Sequence, residues 1–147
     1  MDITPGDRRL LLGPQRAERG DIFVGDRAAR LGDAWYPIGS NNAHLLDSLP
    51  RYRAGVERLR GMTEAAGRKR DAVALTYRVK RTGDALPPLA SDGERRLFSG
   101  SDAAIIGDIR ALADLGVSAI DFDFERPTEA AVLAEMRAFR ERVLAKV

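Results

Sequence analysis

The chain contains no cysteine. This absence excludes disulfide bonds, thiolate nucleophiles, and zinc or iron–sulfur sites built on cysteine. Only one histidine, His44, is present, so a metal site made of several histidines is excluded as well.

No apolar run in the sequence is long enough to cross a membrane, and the first residues lack a signal-peptide core. We therefore predict a cytoplasmic location. Neither sign of charge dominates, because 24 basic and 22 acidic residues are interspersed and leave a net charge of +2. Such a balance produces no strong field, so neither nucleic acid nor a membrane surface is expected as a partner.

A length of 147 residues, 44% of them hydrophobic, predicts one globular domain with a real core. Prolines and glycines punctuate residues 1–20, which we interpret as an irregular leader. The domain is therefore placed over residues 21–147.

Within this domain, short apolar stretches alternate with amphipathic ones. The predicted strands are residues 21–25, 33–37, 72–79 and 117–124. Four helices are predicted. The first covers residues 26–31 and is closed by Gly32, and the second covers residues 45–66 and ends at Gly67. The third is capped by Ser101 and ended by Gly116, and the last starts at Pro127 and Thr128. The long polar connection at 80–98 is of a kind that is usually functional or disordered.

Three of these helices show one apolar face. Its residues are Leu45, Leu49, Tyr52, Val56 and Leu59 in the second helix, Ile105, Ile109 and Leu112 in the third, and Val132, Met136, Phe139 and Val143 in the last. Strands that alternate with such helices predict a parallel sheet with helices outside. Two α/β architectures fit four such units: an open doubly wound sheet, or one half of an eight-stranded (β/α) barrel.

Five segments in order carry a resemblance to a known family. They are AARLGDAWYP (28–37), LPRYRAGVERLR (49–60), EAAGR (64–68), FSGS (98–101) and DLGV (114–117). In order and spacing they resemble the C-terminal half of the bacterial luciferase-like monooxygenase superfamily, across roughly residues 22–147. The similarity is closest to its deazaflavin-dependent oxidoreductase branch.

The resemblance implies a TIM-barrel fold, of which this chain holds the C-terminal (β/α)4 half. It also implies a flavin- or deazaflavin-dependent oxidoreductase or monooxygenase, with FMN or coenzyme F420 as the cofactor. The first four units of the family, which supply much of the ring pocket, are absent here. The chain is therefore expected to be a truncated or half-barrel form, and whether it is an enzyme by itself stays open.

The resemblance also implies cofactor contacts. The junction at Gly25 and Asp26 corresponds to the place where the family contacts the cofactor phosphate, although a plain turn explains it equally well and the Asp26 carboxylate repels an anion. Trp35 and Tyr36 lie at the end of a strand, on the side where barrel active sites form. Trp35 either walls the cofactor pocket or belongs to the core.

Three further residues are candidates for substrate binding. His44 lies at the mouth of a loop and titrates in a range suited to proton transfer, although a surface role explains a lone histidine as well. Asp121 and Asp123 alternate with two phenylalanines that are expected to pack under the helices, which turns both carboxylates toward the barrel interior. Arg78 on the neighbouring strand is their expected partner, in a structural or a catalytic cluster.

Two other functions remain open on the sequence. A half-barrel leaves edge strands unpaired, which favours a homo-oligomer without catalytic activity. An open α/β domain that binds a small phosphorylated ligand is the other alternative.

Overall fold

A computed structural model describes residues 25–147. The elements are helix α1 (Gly25–Leu31), strand β1 (Ala34–Trp35), helix α2 (Leu49–Ala65), strand β2 (Ala74–Val79), helix α3 (Asp102–Asp114), strand β3 (Val117–Phe122), helix α4 (Glu129–Arg142) and a 3₁₀ turn (Leu144–Lys146). The predicted leader and residues 21–24 of the predicted first strand lie outside the described residues.

The three strands form one parallel sheet in the order β1-β2-β3. The α/β class and the parallel pairing predicted from the sequence are thus confirmed. The described sheet is open, and a half-barrel of four units stays a prediction. Within residues 25–147, no helix is both long and apolar enough to cross a membrane.

Helix boundaries follow the caps that the sequence indicates. The side chains of Ser101 and Thr128 accept hydrogen bonds from backbone N–H groups in the first turns of α3 and α4. Gly67 and Gly116, which follow α2 and α3, have φ angles of 76° and 93°, a left-handed conformation that glycine adopts at low cost.

The predicted start of α2 at residue 45 is wrong. The Ser48 side chain accepts a hydrogen bond from the Arg51 N–H at 3.4 Å, so the helix begins one residue after Ser48. Pro50 lies in the first turn, where its missing N–H costs nothing. Leu45 continues the apolar spacing but belongs to the preceding loop.

The core is a chain of aromatic rings between the sheet and the helices. Successive ring centroids lie 4.8–5.6 Å apart along Trp35, Tyr52, Tyr77, Phe98, Phe122 and Phe139. Trp35 is 2% exposed and stacks on Tyr52. The structure therefore agrees with the interpretation of Trp35 as a core residue.

The predicted apolar face of α4 is only partly buried. Phe139 and Val143 are in the core, whereas Met136 is 45% exposed. The reason lies in the sheet: β3 is an edge strand among the described residues, with no buried residue of its own. The periodicity of α4 therefore marks a face that no further described element covers.

Candidate functional site

The two faces of the sheet differ in chemistry. Alternate residues of β2, Leu75, Tyr77 and Val79, point toward the helices and are buried. The intervening residues, such as Arg78, point to the opposite face, which we call the open face. Phe122 belongs to the helix side, since its ring lies 4.8 Å from Phe139.

The open face carries a charged cluster near the carboxyl ends of the three strands. Arg78 Nη2 lies 3.0 Å from both Oδ1 and Oδ2 of Asp123, and Arg78 Nε lies 3.9 Å from Asp121 Oδ2. The Tyr36 hydroxyl donates to the Asp121 carboxylate. The pairing of both aspartates with Arg78 was predicted from the alternation of the strand. We call these four residues the open-face cluster.

The cluster is half solvated and carries an excess of negative charge. Tyr36 is 49% exposed, and the side chains of Asp121 and Asp123 are 53% and 20% exposed. One guanidinium faces two carboxylates, so the cluster suits a ligand that donates hydrogen bonds or carries positive charge. Its hydrogen bond to Asp123 raises the pKa of Arg78, which keeps this cation charged.

We predict that Tyr36 titrates at a higher pH than an ordinary tyrosine. Its hydrogen bond to Asp121 and the charge of that carboxylate raise the pKa of Tyr36, since both oppose formation of the phenolate. The Asp121→Asn variant should lower that pKa toward the ordinary value. The phenolate absorbance of the native chain minus that of the Tyr36→Phe variant isolates this titration.

The raised pKa of Tyr36 also makes the stability of the fold depend on pH. Because the pKa of Tyr36 is higher in the folded chain than in the unfolded chain, its hydrogen bond to Asp121 stabilises the fold fully below the unfolded pKa. This stabilisation is lost as the pH rises through the folded pKa. If Asp121→Asn leaves the titration of Tyr36 unchanged, the hydrogen bond between the two side chains does not form in solution.

A cleft of about 460 Å³ opens beside this cluster. The loop after β1 supplies Gly39 and Asp47, and the long connection after β2 supplies residues such as Lys80 and Phe98. It therefore lies at the carboxyl ends of parallel strands, which is where open α/β sheets bind ligands. We call it the carboxyl-edge cleft.

Asp47 ties the two loops of the cleft together. This carboxylate is buried and accepts hydrogen bonds from Arg51 Nη1 at 2.7 Å and Arg96 Nη1 at 2.6 Å. Its backbone carbonyl also accepts the Leu97 N–H at 2.8 Å. The two cations neutralise the buried charge, and the loop at 80–98 is held by these bonds against the loop after β1.

A second anchor holds the far end of the same connection. The buried Asp108 carboxylate accepts a hydrogen bond from the Phe98 N–H at 2.7 Å and another from Arg95. Phe98 has a φ of 63°, a conformation that a bulky residue rarely adopts. The Phe98 carbonyl in turn accepts the Gly83 N–H at 2.8 Å. The backbone of the connection is thus fixed at both ends.

The remaining candidate residues from the sequence lie in a small pocket at the end of β1 and in helix α1. Trp35, Tyr36 and His44 line one small pocket of about 100 Å³ at the end of β1, so the structure does bring these three together. Gly25 and Asp26 lie in the first turn of the seven-residue α1, where Asp26 pairs with Arg30. Neither residue lines the cleft, and their predicted contact with a phosphate stays a prediction.

No family model matches this sequence, and no curated protein matches it. Function is therefore inferred from the chemistry of the two sites and from the resemblance carried by the five segments. Among residues 25–147, no group of three His, Asp or Glu side chains forms a candidate metal site.

The cleft residues Asp47, Lys80, Arg81 and Arg96 were not identified from the sequence. The available signal was a pair of cations directly after a predicted strand, at the start of an unusually long connection. The carboxyl end of a parallel strand is the position where such residues reach a ligand.

Proposed function

We propose that this chain is a luciferase-like domain that binds a flavin or a deazaflavin in the carboxyl-edge cleft and takes part in its oxidoreductase or monooxygenase chemistry. The observation that carries the proposal is the position and charge of the cleft. It lies at the carboxyl edge of a parallel sheet, and four cationic side chains line it. Arg78 and Arg96 are paired with Asp123 and Asp47, whereas Lys80 and Arg81 are exposed. FMN and coenzyme F420 are both anionic.

The residues present fit such a cofactor in size and chemistry. A cleft of about 460 Å³ lies within the range of small-molecule pockets, and the wall offers aromatic as well as cationic side chains. A bound flavin or deazaflavin would supply the hydride chemistry, and the protein would orient it and exclude water. In the proposal, Tyr36 and the two aspartates of the open-face cluster bind the substrate beside it.

The test is a titration of the purified chain with FMN and with coenzyme F420, followed by their absorbance and fluorescence. We expect saturable binding that weakens as the salt concentration rises, because charge attraction contributes to it. Reduction of the bound cofactor by a suitable donor would support the oxidoreductase. Binding without any redox activity would favour the narrower alternative, a domain for a phosphorylated ligand. No binding of either cofactor would contradict the flavin or deazaflavin proposal.

The self-associating half-barrel is a second candidate, favoured by a specific surface. Strand β3, an edge strand among residues 25–147, borders a groove of about 380 Å³ whose mostly apolar lining includes Phe122, Phe124, Leu133, Met136 and Leu144. Leu133, Met136 and Leu144 are 44–46% exposed. An apolar patch beside an unpaired strand edge is a typical place for another chain to pair.

A second copy of this chain is the proposed occupant of that groove. Sedimentation of the native chain should then give the mass of a dimer, and Met136→Asp should give a monomer. A native chain that stays monomeric at every concentration measured would exclude this candidate and leave the cofactor proposal untouched.

A further inference from the structure

Two of the four cations that line the carboxyl-edge cleft already have a carboxylate partner. Arg78 is bound by Asp123, and Arg96 is bound by Asp47. The charges of such pairs are largely neutralised within the protein and add little attraction for a further anion. Their role in the cleft is to shape its wall.

Lys80 and Arg81 are different. Both line the cleft and both are exposed, and neither forms an ion pair or a side-chain hydrogen bond with any residue from 25 to 147. They follow β2 directly, so the sheet fixes the backbone on which they stand. Two adjacent cations that no residue from 25 to 147 pairs with therefore lie at the carboxyl end of the central strand.

We propose that Lys80 and Arg81 form a subsite for a phosphate monoester, the end group of FMN, in place of the phosphate contact at Gly25 and Asp26 that the resemblance implies. The two positive charges, which no residue from 25 to 147 compensates, match the double negative charge of a monoester. A lysine ammonium and an arginine guanidinium both donate to phosphate oxygens, and the guanidinium does so through two parallel bonds. The phosphate of the deazaflavin coenzyme is a diester with one charge. The subsite, which rests on the proposed function, therefore fits the end group of FMN.

The experiment compares FMN with riboflavin, which is the same ring system without the phosphate. The double variant Lys80→Gln/Arg81→Gln should bind FMN about a hundredfold more weakly than the native chain does, because each of the two cations that contact the phosphate contributes about tenfold to the affinity. Its affinity for riboflavin should not change. Both residues are exposed, so the fold is expected to be preserved, and circular dichroism of the variant checks this.

A matched control removes the same two charges elsewhere. Arg53→Gln/Lys69→Gln changes an exposed arginine and an exposed lysine outside the cleft, so its affinity for FMN should stay within about twofold of the native value at moderate salt. An equal loss of affinity in the control would overturn the subsite, because it would show a general effect of net charge. Equal losses for riboflavin and FMN would overturn it as well.

The experiment distinguishes a failure of the phosphate subsite from a failure of the proposed function. If FMN and riboflavin bind the native chain equally, the subsite is wrong and the flavin site stands. If no flavin binds, the same variants are titrated with inorganic phosphate. Phosphate binding by the native chain that Lys80→Gln/Arg81→Gln abolishes would support the subsite in a protein of another function, and no phosphate binding would overturn it.

Discussion

Replacing Gly39 with alanine is expected to lower the free energy of unfolding by about 3 kcal/mol, the sum of overpacking and a weakened buried hydrogen bond. A Cβ at this position would lie 1.8 Å from the Tyr77 hydroxyl oxygen and 2.5 Å from the ring carbon that bears it. Tyr77 is 2% exposed and donates a hydrogen bond to the Leu46 carbonyl at 2.7 Å. If the hydroxyl moved away from a new Cβ, its hydrogen bond to the Leu46 carbonyl would be weakened or broken.

Denaturant unfolding measures this effect, with Gly61→Ala as its control. Gly61 lies in the middle of α2, is exposed, and would place a Cβ with nothing within 4 Å. Alanine there should raise stability by about 0.5–1 kcal/mol, because a helix favours alanine over glycine. Similar changes in the two variants would contradict the close approach of Gly39 to Tyr77.

A second background tests the mechanism of the same prediction. In Tyr77→Phe, the atom nearest to the new Cβ is gone, so Gly39→Ala should cost less there than in the native chain. Equal costs in the two backgrounds would place the strain elsewhere. Since both residues line the carboxyl-edge cleft, the native-background variant should also bind FMN more weakly.

Sequence reasoning predicted best those features that depend on a few neighbouring residues. Strand alternation placed Asp121 and Asp123 on the face away from the phenylalanines, and the same alternation on the next strand supplied Arg78. Ser101 and Gly116 set the ends of α3 because caps act within one turn. The caps needed no knowledge of distant parts of the chain. The pairing of Arg78 with Asp123, 45 positions apart, needed only that two regular strands be neighbours.

The carboxyl-edge cleft could not be predicted in that way. Asp47 and Arg96 are 49 positions apart, and the bond between them forms only when two irregular loops meet. Irregular loops have no periodicity from which their packing can be predicted. For Met136 the prediction was wrong in the opposite way, because its periodic position predicts burial but the side chain is 45% exposed. Burial also requires a neighbour, and the described residues supply none there.

The second large effect is expected at Asp108. We predict that Asp108→Ala lowers the free energy of unfolding by about 2–3 kcal/mol, because the buried Phe98 N–H loses its acceptor and the ion pair with Arg95 is removed as well. Phe98 has a φ of 63°, so its strained backbone depends on that bond. Arg95 is 43% exposed, so water can solvate its charge, which keeps the cost below that of a fully buried pair.

Asp102→Ala on the same helix is the matched control. Asp102 pairs with Arg142 at 3.2 Å, with both side chains nearly half exposed, so its removal should cost less than about 1 kcal/mol even with its favourable place in the first turn of α3.

Hydrogen exchange adds a local measurement. The Phe98 amide should be protected in the native chain and in Asp102→Ala but exchange fast in Asp108→Ala. Because Phe98 lines the cleft, only Asp108→Ala should also weaken FMN binding. If instead the Phe98 amide stays protected in Asp108→Ala, that carboxylate does not hold the connection at 80–98 in place.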